Sequence, residues 1–249
     1  MSLIMYADVS SPECYLASRR TDALSAAQVR VDWRAVEQAP RLPVAGERLS
    51  DTGRETLADR LDAVDRLLLD HETLPRLLPQ FRPNTLASVS ALAEVYDSAV
   101  ADDVRRLLFS LYWQDGLDVG SPEVLRRPLA GAILRSGSPG DALLESGYAV
   151  TMNRGPVTVE AYRRVRAWRT EWAALGNLEL PVVLTGGATL SGPDALRRLG
   201  KEVAYAQADV EPSLPDPRRY PPVADRPPGG WVSETGGRWR RTYRTTGAR

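Results

Sequence analysis

The sequence predicts an α/β fold in which a small sheet is interrupted by a long helical block and followed by a proline-rich extension. Three stretches carry that reading. Near the N-terminus the apolar run Leu3–Val9, a helical stretch from Pro12 and the alternating segment Val29–Ala35 follow one another closely. Strand, helix and strand in so short a space form a βαβ unit, with parallel strands and a right-handed crossover. Far along the chain, Leu180–Thr185 and Ala188–Ser191 flank Gly186-Gly187, the pattern of a tight antiparallel hairpin. Between these ends, from about Thr52 to Leu175, apolar residues recur with helical spacing. Neither end alone supplies enough strands for a stable sheet, so both are expected to share one.

The first strand delivers the chain to Ser11-Pro12, a helix start with Ser11 as N-cap and Pro12 at the first helical position. That helix should run to about Ala27. Val29, Val31, Trp33 and Ala35 then alternate with Arg30, Asp32 and Arg34, the period of a half-buried strand. Gln38–Ser50 is a loop by its proline and glycine content. In the block that follows, Leu57, Leu61, Val64 and Leu68 share one helix face, and Leu86, Val89, Leu92 and Tyr96 share another behind the cap Asn84. Val104, Leu108, Leu111 and Tyr112 form a third stripe, and Ser121-Pro122-Glu123 opens a fourth helix. Val165, Trp168, Trp172 and Leu175 make a fifth, ending at Gly176. The block contains no strand signal, and His71 is expected on a solvated surface.

After the hairpin, Gly192-Pro193-Asp194 opens a last helix with an acidic residue in its first turn. Residues 1–50 and 176–205 are therefore expected to form one discontinuous domain, 51–175 an inserted helical domain and 206–249 a tail. Glu211–Gly230 is dense in proline and should be extended. Trp231–Tyr243 reads as a second hairpin around Gly236-Gly237. Its arginines, interleaved with Trp239 and Tyr243, would suit an acidic partner or nucleic acid. A hairpin resting on the body or on another subunit is the simpler expectation.

Composition narrows the chemistry. The 249 residues carry no formal net charge, which gives no electrostatic case for nucleic acid or an anionic membrane. One cysteine excludes an intrachain disulfide, and one histidine beside it cannot make a metal-ligand cluster, so no metal is expected. The N-terminus lacks a signal-peptide pattern, and no apolar run is long enough to span a membrane. A soluble, cytoplasmic protein is the expectation. Lys201 is the sole lysine among 32 basic residues, which speaks of a GC-rich genome rather than a function.

The stretch Ser10-Ser11-Pro12-Glu13-Cys14 gathers the reactive groups. A helix N-terminus there would place Ser11 Oγ and Cys14 Sγ near backbone N–H groups and the positive end of the dipole, where an anion is favoured and a thiolate is the anion these residues suggest. Glu13, if close, opposes that ionisation. Plainer roles stand beside these: Cys14 as a small buried hydrophobe, Ser11 as a helix cap, Asn84 as a cap and Trp113 as core.

Three places together resemble the DsbA family of the thioredoxin-fold superfamily, which includes FrnE-type oxidoreductases, with 2-hydroxychromene-2-carboxylate isomerases and kappa-class glutathione transferases as relatives. Asp8–Ala17 resembles the family's active-site turn and helix. Arg82-Pro83-Asn84-Thr85, Leu107-Leu108-Phe109 and Tyr112–Val119 resemble its inserted helical domain, and Leu180-Pro181-Val182 with Gly192 and Asp194 resembles its cis-proline hairpin and last helix. The resemblance covers about Ser2 to Gly200 and implies a thioredoxin-like fold with a large helical insertion.

It also implies a site. Where DsbA-type members carry CxxC, this chain has Ser11 first and Cys14 second, which leaves dithiol exchange without one of its sulfurs. The isomerases and kappa-class transferases carry serine at the first place, facing the thiolate of a bound small thiol, and Ser11 matches it. Ser11 and Cys14 are the catalytic candidates on this resemblance. Leu180, cis Pro181 and Asp194 are candidates to hold a small thiol, glutathione or mycothiol, and Pro12, Asn84 and Trp113 to line the substrate cleft. The kappa-like Ser-Asp-Arg before the last helix appears here as Pro193-Asp194-Ala195. The expected activity is thiol-dependent isomerase, transferase or monothiol redox chemistry on a small organic molecule; the alternative is a non-catalytic binding or assembly module. A homodimer is left open.

Overall fold

The computed structural model describes residues 3–75, 78–135, 150–208, 229–234 and 238–243. Strand β1 (Leu3–Ala7) leads to helix α1 (Pro12–Ala26) and strand β2 (Val31–Ala35), which pairs parallel to β1 with Leu3 opposite Val31 and Ala7 opposite Ala35. Strands β5 (Val182–Thr185) and β6 (Ala188–Ser191) complete a four-stranded sheet in the order β2-β1-β5-β6. Both ends of the chain thus share one sheet, as the strand count requires. Gly186 and Gly187 both have positive φ, the conformation a two-residue hairpin turn demands. Helix α7 (Gly192–Ala208) follows directly.

Between β2 and β5 lie α2 (Asp51–Asp65), α3 (Leu86–Val95), α4 (Ala101–Trp113), α5 (Pro122–Arg135) and α6 (Val159–Ala174). This is the thioredoxin-like α/β fold with a large helical insertion. Gly176, with φ of 82°, closes α6 as a C′ residue should. Leu68 lies beyond the end of α2 and packs against the core from the following turn.

The block is not free of strands. Two-residue strands β3 (Glu47–Arg48) and β4 (Phe81–Arg82) pair antiparallel. Two residues cannot show an alternating pattern, so periodicity passes over them. The proline-rich segment and the Gly236-Gly237 turn lie outside the described residues, while β7 (Gly229–Glu234) and β8 (Arg238–Tyr243) pair antiparallel, Trp231 opposite Arg241.

Helix α1 is the axis of the core. It packs against α7, α2, α4 and β2, and ten of its fifteen residues are buried, so its sequence carries no single apolar stripe. Two buried arginines fasten it. Arg20 pairs with Glu72, and Arg105 on α4 donates to the Ser18 carbonyl (2.7 Å) and to Asp22 (2.5 Å). Helices α3 and α6 pack on each other and on β2.

Candidate active site

The turn between β1 and α1 is held from every side. Ser11 is the N-cap of α1, with extended backbone, and Pro12 occupies the first turn. Ser11 Oγ accepts from the Cys14 N–H (3.2 Å) and gives its own proton to Glu13 Oε2 (2.7 Å). Glu13 in turn receives Arg60 of α2 through Nε (3.1 Å) and Nη2 (2.5 Å). Ser11, Glu13 and Arg60 form a chain of three hydrogen-bonded groups that joins α1 to α2, and Ser11 itself is fully buried.

Behind the turn sits Asp8, 1% exposed. One carboxylate oxygen accepts from the Ser10 N–H and Ser10 hydroxyl, both at 2.8 Å, and the other accepts from the Gln38 N–H (2.6 Å) and Thr85 Oγ1 (3.0 Å). A buried carboxylate satisfied by neutral donors alone gathers its own turn and two distant segments around the site. Glu37, also buried, pairs with Arg169 of α6; burial pushes its carboxyl up against the pull of Arg169, and nearby Asp8 adds to the rise. The neighbourhood is rich in carboxylates.

Cys14 is fully buried and its Sγ accepts from the Asp8 N–H at 3.5 Å. Burial pushes the thiol well above its ordinary value, with hydrogen bonds from Ser11 and Asp8 acting the other way and the charges of Glu13 and Asp8 reinforcing the rise. A thiolate on Cys14 is the anion the helix end was expected to favour; desolvation outweighs the dipole and keeps the thiol protonated. Iodoacetamide at neutral pH is expected to label the folded chain slowly and the urea-unfolded chain fast, read by intact mass. Equal rates in both states would contradict a buried thiol.

The other candidates divide by location. The Leu180–Pro181 peptide bond is cis, both residues are buried, and the Pro181 carbonyl accepts from the Gly192 N–H at 2.9 Å. Tyr6 stands opposite Val182, so the register continues to Pro181 opposite Ala7, at the end of the sheet where the Ser11 turn begins. Asp194 lies at the start of α7 at that same end, but is exposed and paired with Arg197 (2.5 Å). Asn84 is tied up on both sides: Nδ2 donates to the Leu42 carbonyl (3.0 Å) and Oδ1 accepts from the Leu86 N–H (3.2 Å), while Thr85 takes the N-cap position of α3 without a side-chain capping bond, its hydroxyl being given to Asp8. Trp113 is 1% exposed and gives Nε1–H to the Val9 carbonyl at 2.8 Å, bracing the turn from α4.

Asp8, Glu37 and Arg60 belong to this site and were not singled out from the sequence. A single carboxylate closing an apolar strand was the signal for Asp8; nothing local marks the other two. Among the described residues no group of histidine, cysteine and carboxylate side chains could hold a metal ion, and no helix is long and apolar enough to cross a membrane.

Comparison with known proteins agrees with this architecture. The solved structure of a 2-hydroxychromene-2-carboxylate isomerase superposes with a TM-score of 0.57 at 18% identity, covering 85% of this chain and 100% of its own. A probable DsbA oxidoreductase from Streptomyces coelicolor gives 0.54 at 17%, covering 95% and 97%. The cytosolic disulfide reductase DsbM from Pseudomonas aeruginosa, in a structure with GSH, gives 0.52 at 15%, covering 84% and 98%. No curated protein matches the chain. The family model for the DSBA-like thioredoxin domain matches residues 2–135. With β1, α1, the helical block through α5 and more than half its length inside that match, this chain belongs to the DSBA-like thioredoxin domain family.

Proposed function

We propose that this chain is a DsbA-like enzyme that has given up dithiol exchange and instead works with a bound small thiol, or the thiol adduct of an organic substrate, at the end of the sheet where Ser11 and the Leu180–Pro181 bond lie. The observation that carries the reading is the Ser11 hydroxyl at the cap of α1, in the place where an attacking cysteine would stand, with the only thiol of the chain buried behind it as Cys14. The donor set fits a thiol: a hydroxyl with one proton to give, the positive end of a helix and a strand start whose main chain can pair with a cysteinyl group. The DsbM structure with GSH supports the class of ligand; mycothiol is the other small thiol proposed for the same place.

When bound, the small thiol supplies a sulfur nucleophile for an electrophilic carbon of the substrate. Ser11 has to turn its proton from Glu13 toward that sulfur, and the donated hydrogen bond favours thiolate over thiol. Two pKa units of such preference correspond to about 2.7 kcal/mol, within reach of a few aimed donors. Asp8 and Glu13 act in the opposite sense, so the Ser11 donor has work to do against its surroundings. Pro12 and Trp113 hold the turn in place, and Cys14 takes no part beyond packing.

The test is a titration of cysteinyl-labelled glutathione, and separately mycothiol, by carbon NMR in wild type and Ser11→Ala. The bound thiol of the wild type is expected to ionise about two units lower than in the variant, while Cys14→Ser leaves it unchanged. Insulin reduction should show no turnover, since the exchange cycle lacks its second sulfur. Identical thiol titration in both proteins would remove Ser11 from the chemistry. The full burial of Ser11 and its bond to Glu13 favour a second reading, a binding module without turnover, and absence of binding by either thiol would decide for it.

A further inference from the structure

Three carboxylates are buried around the turn that carries Ser11, and they are not equally held. Asp8 accepts from the Ser10 N–H and hydroxyl, the Gln38 N–H and the Thr85 hydroxyl, and Glu13 accepts from the Ser11 hydroxyl and twice from Arg60. Glu37 has one hydrogen bond among the described residues, from Nη2 of Arg169. Its side chain is 5% exposed while that of the arginine is 54% exposed, so water competes for the donor and leaves the acceptor dry. Arg60 and Arg169 are thus the cations bonded to three buried carboxylates, and Glu37 is the least supported of the three.

Asp8 joins Glu37 to the turn. The Gln38 N–H, one residue after Glu37, donates to one Asp8 oxygen at 2.6 Å, and the Ser10 N–H, one residue before Ser11, donates to the other at 2.8 Å. Among the described residues the charged groups that face Glu37 are Arg169, from α6, and Asp8, from the end of β1; Arg34 on β2 and Glu171 on α6 are taken up with each other. The Asp8 charge also works on the Cys14 thiol, so it is felt on both sides of the turn. Desolvation and Asp8 hold the Glu37 carboxyl above its ordinary range in spite of Arg169, which places a proton within its reach.

We propose that Glu37 is the proton acceptor coupled to the Ser11 turn: as a thiol held there ionises, Glu37 takes up a proton, and the turn keeps the same net charge. The sulfur–hydrogen bond breaks and its proton passes to water, while a carboxyl O–H forms on Glu37 with a proton from water, so no other reactant is needed. Arg169, already half in solvent, is released to it at little cost. The sign follows from like charge: ionised Glu37 opposes a thiolate and neutral Glu37 does not. The coupling is mutual, so a thiolate raises the Glu37 carboxyl by as much as ionised Glu37 raises the thiol. The proposal rests on the thiol reading for the identity of the bound group, whereas the coupling belongs to the turn itself.

Ser11→Cys fixes a thiol at the turn covalently and tests the coupling whether or not a small thiol binds. In the full chain, kept reduced and carrying carbon-labelled cysteine, the introduced thiol titrates apart from Cys14, which burial keeps protonated. Adding Glu37→Gln, which preserves an acceptor for Arg169, is expected to lower the pKa of the introduced thiol by about one unit, a tenfold gain in thiolate. In the chain with Ser11 intact, the carbon signal of the Glu37 carboxyl, assigned by its loss in Glu37→Gln, is expected to titrate above ordinary glutamate and higher again in Arg169→Ala, an exposed substitution. An unchanged thiol pKa on adding Glu37→Gln would overturn the proposal, and so would a Glu37 carboxyl that titrates as in an unfolded peptide, a measurement that stands even where Ser11→Cys does not fold. Failure of GSH and mycothiol to bind the wild type would sink the thiol reading alone, and the two titrations would still decide the coupling.

Discussion

Glu72→Ala is expected to lower the free energy of unfolding by about 3–5 kcal/mol, the usual cost of stripping one partner from a buried ion pair. Arg20 is 1% exposed, and its guanidinium is spoken for on every edge: Nε and Nη2 reach Glu72 at 2.8 and 2.7 Å, Nη1 the Leu196 carbonyl at 2.5 Å, and Nη2 the Leu67 carbonyl at 2.6 Å. Glu72 also accepts from the Leu69 N–H at 2.8 Å, so the variant unpins the turn after α2 as well. Helix α7 comes so close that a Cβ on Gly200 would lie 3.2 Å from Arg20 Nη1. The arginine cannot swing out to water without parting α1 from α7. Urea unfolding of Glu72→Ala checks the figure, and Arg20→Met with Glu72→Leu should recover most of it, since an apolar pair carries no desolvation cost. A loss below about 1 kcal/mol in the single variant would show that the charge is hydrated after all.

Trp113→Ala should cost a similar amount, about 3–5 kcal/mol, through the cavity left by a buried indole. The ring meets Tyr15 and Tyr112 edge to face, with centroids 6.0 and 5.0 Å apart, and its N–H bonds the Val9 carbonyl just before the Ser11 turn. Trp113→Phe keeps most of the packing and isolates that one bond, worth about 1 kcal/mol. The pair of variants distinguishes a brace from a cleft residue. If Trp113 only braces the turn, Phe lowers stability and leaves the affinity for a bound thiol within about twofold; a larger fall in affinity with little loss of stability would place the indole against the ligand.

The course of the main chain was legible because it is written in neighbouring residues. Alternation from Val29 to Ala35, the Ser11-Pro12 start, Gly176 after α6 and Gly186-Gly187 between strands each state a local geometry, and the resemblance joined them into one fold. The site was legible only where it shares that local grammar, at Ser11 and Pro12 and at the Leu180–Pro181 strand start. Asp8 draws on Gln38 and Thr85, and Glu13 on Arg60. Those pairings exist only once the chain has folded back on itself, and no spacing announces them. Cys14 illustrates the converse: its position at a helix start suggests an activated sulfur, and the deciding quantity is burial, set by α4 and the sheet rather than by its neighbours in sequence.

The three-membered chain from Ser11 through Glu13 to Arg60 makes the cap of α1 and the seating of α2 share one carboxylate, to which the Ser11 hydroxyl and the Arg60 guanidinium both donate. An acceptor arriving at Ser11 draws the hydroxyl proton away from Glu13, whose carboxylate is then left to Arg60 and holds it more tightly. Linkage makes the exchange reciprocal: whatever factor the acceptor's binding tightens the seat of α2 by, seating α2 raises the acceptor's affinity by the same factor. Occupancy at the turn and attachment of the helix that carries the far end of the relay are therefore two readouts of one equilibrium, and Arg60→Ala lowers both.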